Sequence, residues 1–569
     1  MSKRKPQFDF WTIVTIGILA VFALFLIYPL ISLFVDGFLE EGTGAFTMAN
    51  FTKFFGKKFY YRSLLNSLKL TVCVTICSLL IGVPLAYIMS FFKIRGKSII
   101  EILIIISMMS PNFIGAYSWI LLLGRSGVVT QFLSNTFGIK MPSIYGFGGM
   151  LLVFTLKLYP FIYMYVSGAL KKVDVAVCEA AESLGCNAIR KVFTVVMPLV
   201  TPTAIASALL VFMNCMADFG TPALIGEGYD VLPTKIYIEF VGESGGSAYF
   251  ASAMASLMVV ITAVLFLLQR WYVNKKSFTM SAMRPIQPTR AKGAKNVIMH
   301  VFTYLVILSV VPHLVIIWTS LRKTEVQYFV DGYSFESYTK IFDTALSSIQ
   351  NTYLYCIIAL AIIIVLGMLI AYLSVRKKSM LTSAIDTIAM FPYIIPGSVL
   401  GITLLLAFNG KGDPMVLSGT AAIMIISLVI RRLAYTLRSS SAILYQISPS
   451  VEEAAISLGD SPLKAFVKVT AKLMLPGVIS GAILSWITLI NELSSSVMLY
   501  TANTRTMSVA IYNEVIRARR AGHHPYADDG AVAVPVFQDQ RKQGCHHVVS
   551  HLSQARHTHE ENRATDPLP

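Results

Sequence analysis

"EAAESLGCNAIRKVFTVVMP", Glu179 to Pro198, lies between two apolar stretches, and "EAAISLGDSPLKAFVKVTAK", Glu453 to Lys472, lies in the same setting further along the chain. Glu179, Ala180, Ala181, Leu184 and Gly185 recur as Glu453, Ala454, Ala455, Leu458 and Gly459, 274 positions on, and Pro202 recurs as Pro476 at the same spacing. A second set, Asn66, Gly82, Ala86 and Tyr87, recurs as Asn351, Gly367, Ala371 and Tyr372, 285 positions on. Self-similarity at a fixed offset marks an internal duplication. The smaller offset later in the chain means that the second copy has shorter intervening loops.

What surrounds the repeated segments sets the class. With 55% hydrophobic and 14% charged residues in 569 positions, the chain cannot form a soluble globule without leaving large apolar surfaces wet. It reads as an all-α polytopic membrane protein. Residues 11–34 contain no charge and are long enough to cross the hydrocarbon as a helix. Further spans are expected near 64–92, 99–123, 147–170, 199–225 and 249–270. The second copy repeats them near 297–319, 354–375, 384–407, 417–437 and 477–500. The net charge of +17 follows this topology. "MSKRK", "KIRGK" (Lys93 to Lys97), Lys171 with Lys172, the linker from Arg270 to Asn296, and "RKK" (Arg376 to Lys378) all fall on one side. That side is expected to be the cytoplasm, with the N-terminus on it; no nucleic-acid partner is implied. The seven cysteines suggest no disulfide framework.

Each repeated segment reads as a short helix in a cytoplasmic loop. Asp174 and Ser448 stand at N-cap positions, Pro449 at the first helical position, and Gly185 and Gly459 at the ends. Two adjacent alanines give a thin face that lets another protein approach the backbone, and the glutamate offers a charge to a basic partner. A solvated loop helix of good propensity explains one such segment. Recurrence at matched topology in both halves favours docking.

The glutamate, two alanines, glycine six positions on and later proline resemble the cytoplasmic signature loop of type I ABC importer permeases. The resemblance covers about Leu64 to Tyr500, and the fused two-copy layout is similar to that of ferric-iron uptake permeases. It implies two tandem six-helix-type permease repeats. It also implies coupling helices seated on an ABC ATPase subunit present in two copies, one per loop. A periplasmic or lipid-anchored solute-binding protein would deliver substrate, and ATP and magnesium would belong to the ATPase. By resemblance, Glu179, Ala180, Ala181, Gly185, Glu453, Ala454, Ala455 and Gly459 carry that docking. One position departs: Lys472 stands where the first copy has Pro198, so the bend after the second coupling helix is expected to be placed differently. The expected divisions are 1–63 with the first span, 64–270 as the first repeat with loop 171–198, and 271–296 as a basic linker. They continue with 297–348 around the seventh span, 349–518 as the second repeat with loop 438–476, and 519–569 as an atypical tail.

No enzymatic motif accompanies this layout. The only Gly-Lys-Ser, at Gly96 to Ser98, has Phe91 where a phosphate loop needs its first glycine, and no zinc-protease, paired C-x-x-C or G-x-S-x-G pattern occurs. Catalytic and metal residues are therefore not assigned. Ionisable residues within spans are functional candidates by default. Lys157 matches Arg431, and Asp218 matches Glu492, both at 274. Two readings stand: the acids line a path for a cationic solute, or each neutralises the base of its own half. Pro111, Pro160, Pro392 and Pro396 are either path-lining breaks or plain kinks; Asn214 and Asn491 are weaker candidates. The resemblance implies ferric iron as the favoured solute, with phosphonate, polyamine or another small ion as alternatives and a gradient-driven secondary transporter as the rival class.

The end of the chain does not match. "IYIE" (Ile236 to Glu239) precedes a sixth span, whereas "IYNE" (Ile511 to Glu514) precedes a stretch with no apolar run able to cross a bilayer and seven of the nine histidines. A frameshifted or disordered tail is one reading. A soft-metal site at Cys545, His546, His547, His551, His557 and His559 is the other.

Overall fold

The computed structural model describes residues 10–521, apart from 110–111, 243–246, 276–283, 285, 326–327 and 411–412. The tail and its Cys/His set lie outside the described residues, as does any continuation of the second half beyond Ala521. Among the described residues nine helices are long and apolar enough to cross a membrane. In the first half these are Phe10–Gly37, Lys58–Phe91, Phe113–Phe137, Phe147–Leu170, Ala188–Ala217 and Ala248–Leu268. In the second they are Ala294–Ser320, Glu336–Arg376 and Pro462–Ile490. A further helix, Ala421–Leu444, holds the region expected at 417–437 and carries three arginines.

Several expected spans are broken. The segment 99–123 is helical over Lys97–Met109 and Asn112–Leu123, and Pro111 between them lies outside the described residues. The segment 384–407 divides into Met380–Ile388, Phe391–Ile394 and Gly397–Ala407. There Pro392 opens the middle piece and Pro396 caps the last, because proline lacks the backbone donor that a continuous helix needs. Pro160, by contrast, sits inside the unbroken helix Phe147–Leu170. The expected span 199–225 stops at Ala217 and resumes as Gly220–Ile225; the expected span 477–500 stops at Ile490 and resumes as Ser496–Leu499. Asp218 and Glu492 therefore stand at helix breaks rather than in mid-span. A two-stranded antiparallel hairpin, Arg322–Glu325 with Tyr328–Tyr333, follows the seventh span.

The two halves repeat one another in detail. Asn66 donates from Nδ2 to the Asp230 carbonyl at 2.9 Å, and Asn351 donates to the Asn503 carbonyl at 2.9 Å. One residue on, the Ser67 hydroxyl accepts the Leu232 N–H at 2.7 Å and the Thr352 hydroxyl accepts the Met507 N–H at 2.8 Å. Each half thus anchors the matching helix, Leu232–Val241 in one and Met507–Ala521 in the other, to the same turn of its second span. Gly82 and Gly367 mark the matching helix crossings. A Cβ on Gly82 would lie 2.6 Å from Ile162 Cβ and 2.9 Å from the Tyr159 carbonyl, whereas one on Gly367 would meet Thr436 Cγ2 at 3.1 Å. Small residues permit such close approach of membrane helices. Gly82→Ala is therefore expected to lower the melting temperature in detergent clearly more than Gly367→Ala, at a cost of roughly 1–3 kcal/mol.

The first helix of each half packs on the other half. Trp11 lies 4.5 Å from Tyr372 and 5.4 Å from Phe466, and Phe25 and Tyr28 lie 5.8 and 6.0 Å from Phe408, ring centre to ring centre. In return, the Ser309 hydroxyl meets the Tyr159 hydroxyl at 3.0 Å, and the Tyr304 hydroxyl donates to the Arg95 carbonyl at 3.2 Å. Where the halves meet centrally, Phe219 packs against both Tyr237 and its counterpart Tyr512, at 4.7 and 5.7 Å. Asn491 donates to the Met109 carbonyl at 2.9 Å across the same junction.

Candidate docking helices and an intramembrane charge cluster

The repeated segments fold as the helices Val175–Ser183 and Pro449–Ser457. The Asp174 carboxylate accepts the Ala176 N–H at 2.9 Å, and the Ser448 hydroxyl accepts the Ser450 N–H at 3.4 Å, so each cap satisfies an otherwise orphaned donor. Both helices end alike. Gly185 and Gly459 take left-handed φ of 81° and 97°. Cys186 N–H then bonds to the Ala181 carbonyl at 3.0 Å, and Asp460 N–H to the Ala455 carbonyl at 3.1 Å. A side chain at either glycine would strain the turn.

The next spans leave these helices through a matching π turn, Val192–Val196 in one half and Phe466–Thr470 in the other. The expectation of a displaced bend in the second copy is corrected here. The π turn interrupts both helices in the same register although Lys472 replaces Pro198.

Ala181 is buried against the body of the protein while Ala180, Glu179 and Glu453 are exposed. The conspicuous surface feature is apolar. Leu184 is 86% exposed and Leu458 is 89% exposed. Val177, Ile189 and Phe193 are exposed beside the first, and Val451, Leu463 and Val467, each 274 positions on, beside the second. Sequence reasoning passed over these residues, although Leu184 and Leu458 belong to the repeat from which it started. A duplicated apolar patch flanked by Glu182, Arg190 and Lys191 in one half and by Asp460 and Lys468 in the other has the composition of a protein-binding surface rather than a lipid-facing one.

Each helix is seated differently on its own half. Glu452 accepts from the Tyr372 hydroxyl and, at 2.9 Å, from the Thr470 hydroxyl, fixing the second short helix to two spans. Its counterpart Cys178 is buried near Tyr87, and burial pushes its thiol pKa up. The first helix is held instead by the linker: Val175 N–H donates to the Arg284 carbonyl at 2.9 Å, and the Arg284 guanidinium meets Glu179 at 2.7 Å.

The charges within the membrane part gather by halves. Glu492, 3% exposed, lies 3.1 Å from the Arg431 guanidinium, touches Arg432 as well, and accepts the Ser495 N–H at 3.2 Å. Asp218, also 3% exposed, accepts the Thr221 N–H at 2.9 Å and acts electrostatically on Lys157. Each acid thus caps the short helix that follows its break. Arg432 was missed because its counterpart is Leu158, outside the matched pattern. Gly397 makes room for the cluster: a Cβ there would lie 2.8 Å from Arg431 Cζ and 2.5 Å from Ser494 Cβ. Asn214 simply donates to the Leu210 carbonyl of its own helix, at 2.8 Å.

Duplicated membrane repeats, each with a short capped helix ahead of its fifth span, are the layout of a multi-pass inner-membrane permease. The chain belongs to the family of binding-protein-dependent transport system inner membrane components, whose model matches residues 79–277 and 363–536, one match per repeat. It is 30% identical over 510 residues to the ferric transport system permease protein FbpB of Actinobacillus pleuropneumoniae, covering 88% of this chain and 73% of the relative. It is also 30% identical over 516 residues to a putative ferric transport permease, FbpB 1, of Haemophilus influenzae, covering 89% and 80%. A putative 2-aminoethylphosphonate permease, PhnU, of Salmonella typhi is 27% identical over 258 residues, covering only 44% of this chain and 88% of the relative.

Proposed function

We propose that the chain forms the translocation path of an ATP-driven importer for ferric iron. A separate ATPase binds the two short helices from the cytoplasm, and a periplasmic or lipid-anchored binding protein delivers substrate to the opposite face. The observation that carries this reading is the duplicated patch at one end of the molecule, with Leu184 and Leu458 almost fully exposed in matched positions. Docking rests on those leucines together with Glu179, Ala180, Glu453 and Ala454, while Ala181, Ala455, Gly185 and Gly459 hold the helices in shape. ATP and magnesium belong to the ATPase. Basic residues at this end, from Lys93 to Lys97 and in the linker, support its placement in the cytoplasm.

Iron as substrate is supported by the two ferric permease relatives, which align over nearly the whole chain. The phosphonate relatives align with less than half of it. In this reading the Arg431, Arg432 and Glu492 cluster, with Lys157 and Asp218, is framework that holds the helix breaks and not a substrate site.

Reconstitution tests the proposal. Proteoliposomes holding this chain with its ATPase and binding protein are expected to accumulate radiolabelled ferric iron only when ATP is supplied. Uptake should persist after a protonophore collapses the proton gradient. Uptake driven by that gradient without ATP would establish the secondary transporter instead.

A further inference from the structure

The two halves differ where a first helix meets its neighbour's second span, and the difference opens a site. Pro29 and Pro312 open matching helical segments, and the irregular turns Ala23–Ile27 and Val306–Val310 precede them in the same register, 283 positions apart. At the docking end of the second half, Trp11, 2% exposed, closes the junction by wedging against Tyr372 and Phe466. Its counterpart in the first half is Ala294, which is exposed. Thr15 is 4% exposed, whereas its counterpart Ile298 is 67% exposed.

What the missing indole leaves is a groove of about 400 Å³ between the helices Lys58–Phe91 and Ala294–Ser320, lined by Pro84, Ile88, Lys295, Ile298, Met299 and Phe302. Such a volume lies within the range of small-ligand sites. Its mouth is basic. Lys295 stands 5.0 Å from the Phe92 ring, and Lys93, Arg95, Arg290 and Lys292, on the segments that adjoin the two helices, are exposed. The linker is held there by Lys93 N–H bonding to the Thr289 carbonyl at 2.9 Å, and Arg95 N–H donates to His300 at 3.4 Å. No carboxylate occurs among the described residues of 91–100 and 284–300.

We propose that this groove holds one anionic phospholipid, an acyl chain against Ile88, Ile298 and Phe302 and its phosphate among Lys295, Arg95 and Lys93. Basic clusters between membrane helices at the cytoplasmic surface have this chemistry. Placing the lipid in the cytoplasmic leaflet rests on the orientation proposed above; the occupancy of the groove does not. At the matching place in the second half the Trp11 indole packs against Tyr372 and Phe466.

Native mass spectrometry of the purified full chain, titrated with phosphatidylglycerol or phosphatidylcholine, tests this. One phosphatidylglycerol should stay bound where phosphatidylcholine dissociates. Lys295→Gln with Arg95→Gln is expected to weaken retention about thirtyfold. Ile298→Trp, at an exposed position, should abolish it with all charges intact and the melting temperature unchanged. Equal retention of both lipids, or retention of phosphatidylglycerol unaffected by these variants, would overturn the proposal. The measurement needs no ATPase, binding protein or iron, so failed iron uptake with intact lipid retention counts against the transport reading alone.

Discussion

Leu184→Asp combined with Leu458→Asp is expected to abolish ATP-driven uptake and to release the chain from its ATPase during co-purification. Each leucine offers about 2 kcal/mol of burial to a partner, and a carboxylate in its place must be desolvated on docking. Together the two changes should weaken association about a thousandfold or more, and each alone should leave a partial complex with reduced uptake. Membrane insertion and melting temperature should not change, because neither side chain packs on its own chain. Wild-type co-purification of the double variant would remove the docking role from these helices.

Glu492→Gln is expected to be among the most destabilising single changes in the membrane part. It leaves Arg431 and Arg432 without their shared carboxylate in a site that Glu492 occupies at 3% exposure. Removing one partner of a buried ion pair costs about 3–5 kcal/mol. Asp218→Asn, facing one lysine rather than two arginines, should cost less. Thermal unfolding in detergent, run beside iron uptake, separates the two roles considered for these acids. A stability loss with proportionate uptake loss fits a framework. Normal stability with abolished uptake would place Glu492 on the substrate path.

Much of this arrangement is legible from residue counting. Duplication, the two short helices, their caps and the matched charges all follow from offsets of 274 and 285, because the same local chemistry is written twice. Span interiors are less legible. Apolar composition alone does not distinguish one long helix from a broken one, so 199–225 and 477–500 read as continuous although they break at Asp218 and near Glu492. The bend after the second short helix was misplaced because a π turn has no residue signature as plain as proline. Arg432 and the Arg284 contact to Glu179 escaped notice for a different reason. Neither has a duplicate, and what is written once cannot be found by looking for what is written twice.

Trp11 on Tyr372 and Tyr304 on Arg95 show each half embracing the other with its opening helix. The peptide link between the halves is then a convenience of synthesis rather than the bond that joins them. A gene cut between residues 276 and 283 should yield two polypeptides that clasp one another and travel together through purification.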